Sequence, residues 1–275
     1  MSPSSDAGSG SRWRRRPLLP ASLAIHAAAT GMVGWNPAFW PWALGLVLSN
    51  HAVLAATGLW PRSSWLGPNW SHLPATTLAR GGRVAFTLDD GPDPAVTPLV
   101  LDVLDGAGVR ATFFCVGELI AAHPALGREI LARGHCIENH SQRHLHHFSV
   151  LGPRRMKLEV ARAQDTIFGV TGQRPRFFRA PAGLRNPFLD GILADLDLQL
   201  ASWTRRGFDT LSRRPEPVLK RLTRRLGDGD ILLLHDGNAA RTHTGRPVIL
   251  EVLPKLLETV ARAGLQAITL REALS

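Results

Sequence analysis

The distribution of hydrophobic positions divides this chain of 275 residues into two parts near residue 62. From Pro17 to Pro61 there is no Asp, Glu, Lys or Arg, and this stretch exceeds the roughly 20 apolar residues that cross a bilayer. Downstream, short apolar runs alternate with amphipathic helical patterns. The pattern predicts a membrane-embedded segment followed by an α/β domain.

Asn36, Pro37 and Pro41 interrupt the middle of the apolar stretch, which predicts two helices, over residues 18–34 and 38–60. The alternatives are a soluble apolar arm and a secretory signal peptide cleaved after the run Ala27–Ala29, but the apolar sequence continues well beyond that point. We therefore expect membrane embedding. The predicted organisation is a basic tail over 1–16, a membrane-embedded segment over 17–61, a linker along the membrane surface over 62–82 and an α/β domain over 83–275.

The second part contains seven short apolar runs and six amphipathic segments. The predicted strands are Val84–Leu88, Thr112–Val116, His135–Asn139, Phe177–Arg179, Leu198–Trp203, Ile231–Leu234 and Gln266–Thr269. The predicted helices are Ala95–Asp105, Ala125–Arg133, Arg154–Phe168, Pro187–Asp195, Pro217–Leu226 and Ile249–Ala263. This alternation indicates a parallel barrel, in which functional side chains follow the carboxyl ends of the strands.

Two adjacent carboxylates, Asp89 and Asp90, follow the first of these strands in the run Phe86–Pro92. One of two neighbouring aspartates can bind a metal ion while the other stays free as a base. The same Asp-Asp-Gly-Pro sequence is also good turn and helix-capping chemistry. The pair therefore gains its significance from the motifs that accompany it.

His140 and His144 are spaced to lie on one face of a helical turn, where both imidazoles would reach one metal ion. Because the chain has eleven histidines, this spacing alone is a weak signal. Three further segments follow, namely FRAPAG over 178–183, Trp203 with Asp209, and ILLLHD over 231–236.

These five segments, in this order, resemble the motifs of the polysaccharide deacetylase family, the NodB-homology carbohydrate esterases. The resemblance covers about residues 81–275 and identifies the predicted α/β domain as a NodB-like domain. It implies an irregular (β/α) barrel of seven to eight strands, here with an N-terminal apolar helical membrane segment. It also implies metal-dependent removal of an N-acyl group, most commonly acetyl, from an amino sugar.

The resemblance assigns one divalent metal ion to Asp90, His140 and His144. One carboxylate and two imidazoles suit zinc best, and cobalt or manganese also accept such ligands. Asp89 corresponds to the general base and Arg179 to the arginine that orients it.

His235 corresponds to the general acid that protonates the leaving nitrogen, and Asp209 to the aspartate that supports it. Leu233 corresponds to the wall of a pocket for the acyl methyl group. Trp203 is assigned to the site wall or, equally, to the core. The remaining substrate-binding residues implied by the resemblance are Pro181, Ala182 and Gly183.

Three positions depart from the family pattern. Ala182 replaces an aromatic residue, so its backbone N–H is retained while a side-chain wall is lost. Thr210 replaces a tryptophan, and Arg205–Gly207 occupies the region before Asp209. These changes leave the predicted metal and acid–base residues intact and bear on the identity of the sugar.

Charge and cysteine content limit the partners and the compartment. The net charge is +10, half of it in residues 1–80. The remaining arginines are explained by solvated helix faces, or by contact with anionic lipid headgroups or a phosphorylated substrate. We find no nucleic-acid-binding motif and no sign of an obligate protein partner. Cys115 and Cys136, predicted as free thiols on neighbouring strands, favour a reducing compartment.

The sequence therefore predicts a membrane-anchored N-deacetylase, with a polysaccharide or a lipid-linked glycan as substrate and membrane lipid as its other partner. Two alternatives are a non-catalytic carbohydrate-binding protein and a metal-dependent phosphoesterase, for which Asp236, His146 and His147 are the spare ligands. The arginines before residue 17, together with two membrane crossings, favour a domain on the cytoplasmic side of a bacterial-type cytoplasmic membrane. A single crossing would place it outside.

Overall fold

The computed structural model describes residues 17–78 and 81–274, so the basic tail predicted over 1–16 lies outside the described residues. The strands are β1 Arg83–Asp89, β2 Thr112–Cys115, β3 Cys136–Asn139, β4 Phe177–Phe178, β5 Gln199–Leu200, β6 Arg205–Arg206, β7 Ile231–His235 and β8 Gln266–Ile268. The helices are α1 Leu18–Trp35, α2 Trp40–Gly58, α3 Ala75–Leu78, α4 Thr97–Gly106, α5 Gly117–Ala122, α6 Pro124–Ala132, α7 Pro153–Thr171, α8 Leu189–Asp195, α9 Pro215–Thr223 and α10 Ile249–Arg262.

All eight strands pair in parallel and form one curled sheet in the order β5-β4-β3-β2-β1-β7-β6, with β8 joined to β1. The fold is an irregular (β/α) barrel of seven to eight strands, as the sequence predicted. The two faces of β1 are both buried, which explains why its sequence is nearly continuous in apolar residues.

Side chains alternate between the barrel interior and the helical layer along the central strands. On β1, Ala85 packs in the interior cluster while Val84 and Phe86 pack under the helices. On β7, Leu233 is interior, and Leu232 lies in the outer cluster. Because side chains alternate with a period of two, Asp89 and His235 at the ends of these strands fall on the interior face.

The segment predicted as a linker packs directly on the barrel. Trp70 forms a parallel bridge with Ala201, just after β5, and His72 forms an antiparallel bridge with Asp230, just before β7. The Leu73 amide also donates to the Gly229 carbonyl at 2.9 Å. This segment therefore fills the gap in the wall between β5 and β7.

The two apolar helices form a hairpin around a turn at Asn36–Phe39, close to the bounds predicted from sequence. Each is long and apolar enough to span a membrane, by length and composition. Asn50 of α2 donates to the Ser22 hydroxyl of α1 at 2.8 Å, which satisfies two polar side chains between the helices. At the base of the hairpin, the Arg185 amide donates to the Gly58 carbonyl at 3.1 Å.

Candidate active site

The site is assembled where β1 and β7 end side by side. Asp89 and His235 are paired in register across these strands, and both side chains are buried. Their interior orientation follows from the alternation along each strand. The polar groups of four further loops converge on this end of the barrel.

Asp90 lies at the centre of a group of three metal-ligand side chains. Its Oδ1 is 3.1 Å from Nε2 of His140 and 3.0 Å from Nε2 of His144. The ligand atoms of the three residues all lie within 4.8 Å of one another. Burial opposes the charge of Asp90, but the neighbouring His140 and His144, when their imidazoles are protonated, hold its pKa well below the usual range.

The backbone after β3 forms a tight turn rather than the helical turn predicted for His140 and His144, so that prediction was wrong. Ser141 and His144 have φ of 67° and 50°, which no α-helix accommodates. The turn is held by the side chain of Asn139, which accepts from the Ser141 amide, and by the Ser141 hydroxyl, which accepts from the His144 amide. Side-chain bonds to nearby amides compete with helix formation.

His140 is fixed from behind. Its Nδ1 is 2.8 Å from the Arg179 carbonyl oxygen, a contact that requires the proton on Nδ1 and leaves the Nε2 lone pair facing Asp90. A second hydrogen bond of this kind commonly sets the tautomer of a metal-binding histidine.

Arg179 is fully buried and binds Asp89. Its Nη1 donates to Oδ1 of Asp89 at 2.6 Å and to the Thr87 hydroxyl at 2.9 Å. Its other donors reach the carbonyls of Ala201 and Ser202, and its guanidinium lies 4.1 Å from the ring centroid of Phe114. Burial lowers the pKa of Arg179, an effect that Asp89 opposes. All of these contacts fix the orientation of Asp89.

His235 is paired with Asp209 in a similar way. Oδ1 of Asp209 is 2.8 Å from Nδ1 of His235, and Oδ2 accepts from the His235 amide at 2.8 Å. Burial lowers the pKa of His235, but Asp209, together with Asp89 and Asp90, raises it more, so the net shift is upward. The pair thus favours a protonated imidazole whose Nε2 is available to the barrel interior.

An open cleft of about 530 Å³ joins these groups. Among the residues singled out from the sequence, its lining includes Asp89, Asp90, His140, His144, Ala182, Gly183, Trp203, Leu233 and His235. Arg179 and Asp209 lie behind this lining, bonded to Asp89 and His235. Pro181 is buried at the start of the one-turn helix Pro181–Gly183.

The 181–183 turn brings backbone to the cleft. Ala182 has φ of 54°, and as the second residue of a one-turn helix its N–H has no intrahelical acceptor. Gly183, with φ of 74°, packs so closely that a Cβ there would lie 2.5 Å from the Trp203 ring and 2.8 Å from Pro61. Trp203 therefore belongs both to the hydrophobic core and to the wall of the cleft, the two positions considered from sequence.

Several cleft residues were not predicted from sequence. Asn238 donates to Oδ2 of Asp90 at 3.3 Å, and Glu118, Arg143 and Arg206 also line the cleft. The sequence carries a signal for Asn238, because this residue directly follows the run His-Asp-Gly that begins at the end of β7. The other three lie on segments without an apolar pattern.

The spare ligands considered for a phosphoesterase do not join the metal cluster. Within the described residues, the group Asp90–His140–His144 does not include Asp236, His146 or His147. Asp236 is buried and accepts from the Thr97 hydroxyl at 2.6 Å, and burial raises its pKa to about 7. Within the described residues, this geometry offers ligands for one metal ion rather than two.

Comparison with known proteins identifies the class that this fold and site define. A family model described as polysaccharide deacetylase matches residues 78–201. The chain is 32% identical over 193 residues to a peptidoglycan-N-acetylglucosamine deacetylase of Bacillus cereus, which covers 70% of this chain and 87% of that protein. It is also similar to a family 4 carbohydrate esterase from Streptomyces lividans solved in complex with acetate, with 32% identity and a TM-score of 0.61 over 68% of this chain and 92% of that one. The chain belongs to the polysaccharide deacetylase family.

The fold alone does not guarantee catalysis. A pseudoenzyme of carbohydrate esterase family 4 from Bacillus anthracis has a TM-score of 0.64 to this chain, with 22% identity over 70% of this chain and 66% of that one. An argument for activity therefore has to rest on the site residues.

Proposed function

We propose that this protein is a metal-dependent N-deacetylase of an amino-sugar glycan, held at a membrane by its N-terminal hairpin. The observation that carries the proposal is the meeting of three groups in one cleft: the Asp90–His140–His144 cluster, Asp89 bonded to Arg179, and His235 bonded to Asp209. A non-catalytic binding protein has no need for a positioned base and a positioned acid.

The residues present fit one divalent ion. One carboxylate and two imidazole Nε2 atoms within 4.8 Å match the donor set of catalytic zinc sites, with Nδ1 of His140 already bonded to a carbonyl. Such an ion, when bound, supplies activation of water and polarisation of a carbonyl.

The chain's own residues supply the remaining chemistry of amide hydrolysis. Asp89, held by Arg179, accepts the proton of the attacking water on the carboxylate oxygen that Arg179 leaves free. His235 donates a proton to the nitrogen as the C–N bond breaks, so that a free amine leaves. One water is consumed, and the products are a carboxylic acid and an amino sugar.

Two parts of the cleft are suited to the acyl group. Leu233 lies on the interior face two residues before His235 and provides an apolar wall for a small acyl methyl. Ala182 lines the same cleft, and its backbone N–H serves as a donor to the carbonyl oxygen as negative charge develops.

The position of the hairpin favours a membrane-associated substrate. Among the candidate substrates we therefore rank lipid-linked glycans above polymers. Gly183, on the cleft, would contact Pro61 through any added Cβ, and Arg185 bonds to Gly58 at the end of α2. Arg62, which follows the hairpin, donates to the carbonyl of Thr204, the residue after Trp203 of the cleft. The base of the hairpin therefore lies next to the cleft, within reach of a sugar carried on a lipid.

The test is hydrolysis by the purified full-length chain in detergent, loaded with zinc, cobalt or manganese. N-acetylated polymers and lipid-linked N-acyl sugars are offered in parallel, and released acetate or formate is measured. We expect release from at least one lipid-linked sugar, with Asp89→Asn reduced about 10²- to 10⁴-fold, because general-base catalysis contributes about that factor. Release that is equal in Asp89→Asn and the unmodified protein would refute the proposed role of Asp89.

A further inference from the structure

Arg206 brings a guanidinium to the cleft without an anionic or hydrogen-bonding partner among the residues that the structure describes. It lies on β6, in register with Leu233 of β7, and lines the cleft that contains Asp89, Asp90 and His235. Among the described residues, no carboxylate lies within 4.0 Å of its guanidinium, and no acceptor hydrogen-bonds to it.

The neighbouring arginines differ in this respect. Arg205 pairs with Asp230, Arg143 at the cleft rim pairs with Glu159, and Arg179 pairs with Asp89. The Nε of Arg206 is buried without a hydrogen-bond partner. A buried guanidinium donor without an acceptor is uncommon, because its desolvation is not compensated.

Two aromatic rings hold this guanidinium in place. Its Cζ lies 5.3 Å from the ring centroid of Trp203 and 5.0 Å from that of Phe208. Contacts through the faces of a planar guanidinium leave the N–H groups at its edge unused. The two rings therefore orient the N–H donors of Arg206 and leave its positive charge without a counter-ion among the described residues.

Two further arginines lie near this guanidinium. Arg179 is close enough for Arg206 to lower the pKa of Arg179, and Arg221 lies 5.7 Å from the same Phe208 ring. Glu118 also lines the cleft but forms no ion pair with Arg206 in the described part of the chain. A substrate group with two acceptor oxygens would satisfy the N–H donors of Arg206 in bidentate geometry.

We propose that Arg206 binds an anionic oxygen group, a phosphate or a carboxylate, on the amino sugar whose acyl group is removed. This residue would make the enzyme selective for an acidic amino-sugar substrate over a neutral one. The inference rests on the proposed deacetylase function and specifies its substrate class. The family pattern does not account for the position, since Arg205–Gly207 is where this chain departs from it.

The test compares three substrates that share an N-acetyl group: N-acetylglucosamine 1-phosphate, N-acetylmuramic acid and the neutral methyl glycoside of N-acetylglucosamine. The ratio of kcat/KM for each anionic substrate to that for the neutral one is measured in the full-length protein, Arg206→Gln and Arg206→Lys. Arg213→Gln is the matched control, because Arg213 is exposed and does not line the cleft. Comparing N-acetylglucosamine 1-phosphate with N-acetylmuramic acid shows whether Arg206 prefers a phosphate or a carboxylate.

We expect Arg206→Gln to lower the ratio about 10- to 100-fold for the preferred anion, the usual strength of a hydrogen bond to a charged group. Arg206→Lys should restore part of it, and Arg213→Gln should leave it unchanged. A role in folding alone would lower all three rates together, so an unchanged ratio in Arg206→Gln overturns the proposal.

Binding separates this proposal from the deacetylase function. Titration calorimetry with N-acetylglucosamine 1-phosphate and with N-acetylmuramic acid needs no turnover. If no substrate is hydrolysed but one of these ligands binds the unmodified protein and binds Arg206→Gln about tenfold or more weakly, the deacetylase proposal fails and the anion site stands. If hydrolysis occurs and neither anion shows this difference, only the Arg206 proposal fails.

Discussion

Two adjacent aspartates acquire different roles because their side chains meet different partners. Asp89 is the last residue of β1 and accepts from a buried guanidinium at 2.6 Å. Asp90, with φ of 70°, leaves the strand direction and meets two imidazoles instead. Environment rather than residue type divides their proposed work into base and metal ligand.

Replacing one imidazole tests the proposed metal site. His144→Ala removes one of three ligands, and we expect its zinc affinity to fall by more than about 100-fold, since loss of an outer partner alone costs about 10- to 100-fold. Zinc affinity is measured by competition with a chromophoric chelator. His147→Ala is the control, because His147 is exposed and lies outside the cluster. Equal zinc affinity in both variants would contradict the assignment.

Asp209→Asn tests the proposed acid through pH. The Asp209 carboxylate raises the pKa of His235, so its removal lowers that pKa and depletes the protonated imidazole at a lower pH. We expect the basic limb of the kcat/KM profile to move to lower pH. Asparagine can still accept from the His235 amide, which preserves that backbone contact. A profile that only falls in height would indicate a structural role for Asp209.

Residue identities at the site were accessible from sequence because each lies within an ordered motif, whereas local geometry was not. The spacing of His140 and His144 fits a helix and a turn equally well, and the side-chain bonds of Asn139 and Ser141 decide for the turn. For Arg206 the sequence marked only a departure from the family pattern, because its surroundings come from β6, β7 and the loop that contains Phe208.

At the scale of elements, the site is built from strained turns at the ends of rigid strands. Asp90, Ser141, His144 and Ala182 all have φ between 50° and 70°. Each such residue costs about 1–2 kcal/mol and persists only where surrounding contacts enforce it. Strand β1, with buried neighbours on both sides, provides a rigid base for such turns.

Gly183→Ala tests how tightly one of these turns is packed. A methyl group there meets the Trp203 ring and Pro61, and the φ of 74° disfavours any side chain. Gly172→Ala is the control, because Gly172 has φ of 70° with no atom within 4 Å of the added methyl. Both variants lose about 1–2 kcal/mol of stability from backbone strain, and Gly183→Ala should lose more and also lose activity. Thermal unfolding in detergent measures the difference in stability. An equal loss of stability in the two variants would show that the 181–183 turn rearranges to accommodate the methyl group.

The elements found from sequence are those with a clear apolar run or an amphipathic helical pattern. Strands β1 and β7 and the helices α7 and α10 match their predicted positions closely. Strand β6 was missed because it consists of two arginines, and its pairing with β7 comes from the fold. The segment over 70–73 was predicted as part of a linker because its role in closing the barrel depends on Ala201 and Asp230, which are distant in sequence.

At the scale of the whole molecule, the base of the hairpin contacts the end of the barrel that carries the cleft. Helices of 18 and 19 residues are about 27 Å long, close to the roughly 30 Å of a bilayer core. Trp35, Trp40 and Trp42 are exposed near the turn, and Trp60 and Trp65 are exposed near the base. Two aromatic clusters at this separation suit the two interfaces of a membrane and support a hairpin that crosses completely.

We predict that the domain lies on the cytoplasmic side of the membrane. Arginines 14 to 16 should stay in the cytoplasm by the positive-inside rule, and a complete hairpin returns the chain to that side. We expect a C-terminal alkaline phosphatase fusion, active only in the periplasm, to be inactive, and a C-terminal green fluorescent protein fusion to fluoresce. A phosphatase fused after Pro37, at the turn, should be active. An inactive turn fusion together with a fluorescent C-terminus would mean that the hairpin enters one leaflet without crossing. An active C-terminal phosphatase would place the cleft outside the cytoplasm, where cell-wall polymers would replace lipid-linked sugars as the first substrates to test.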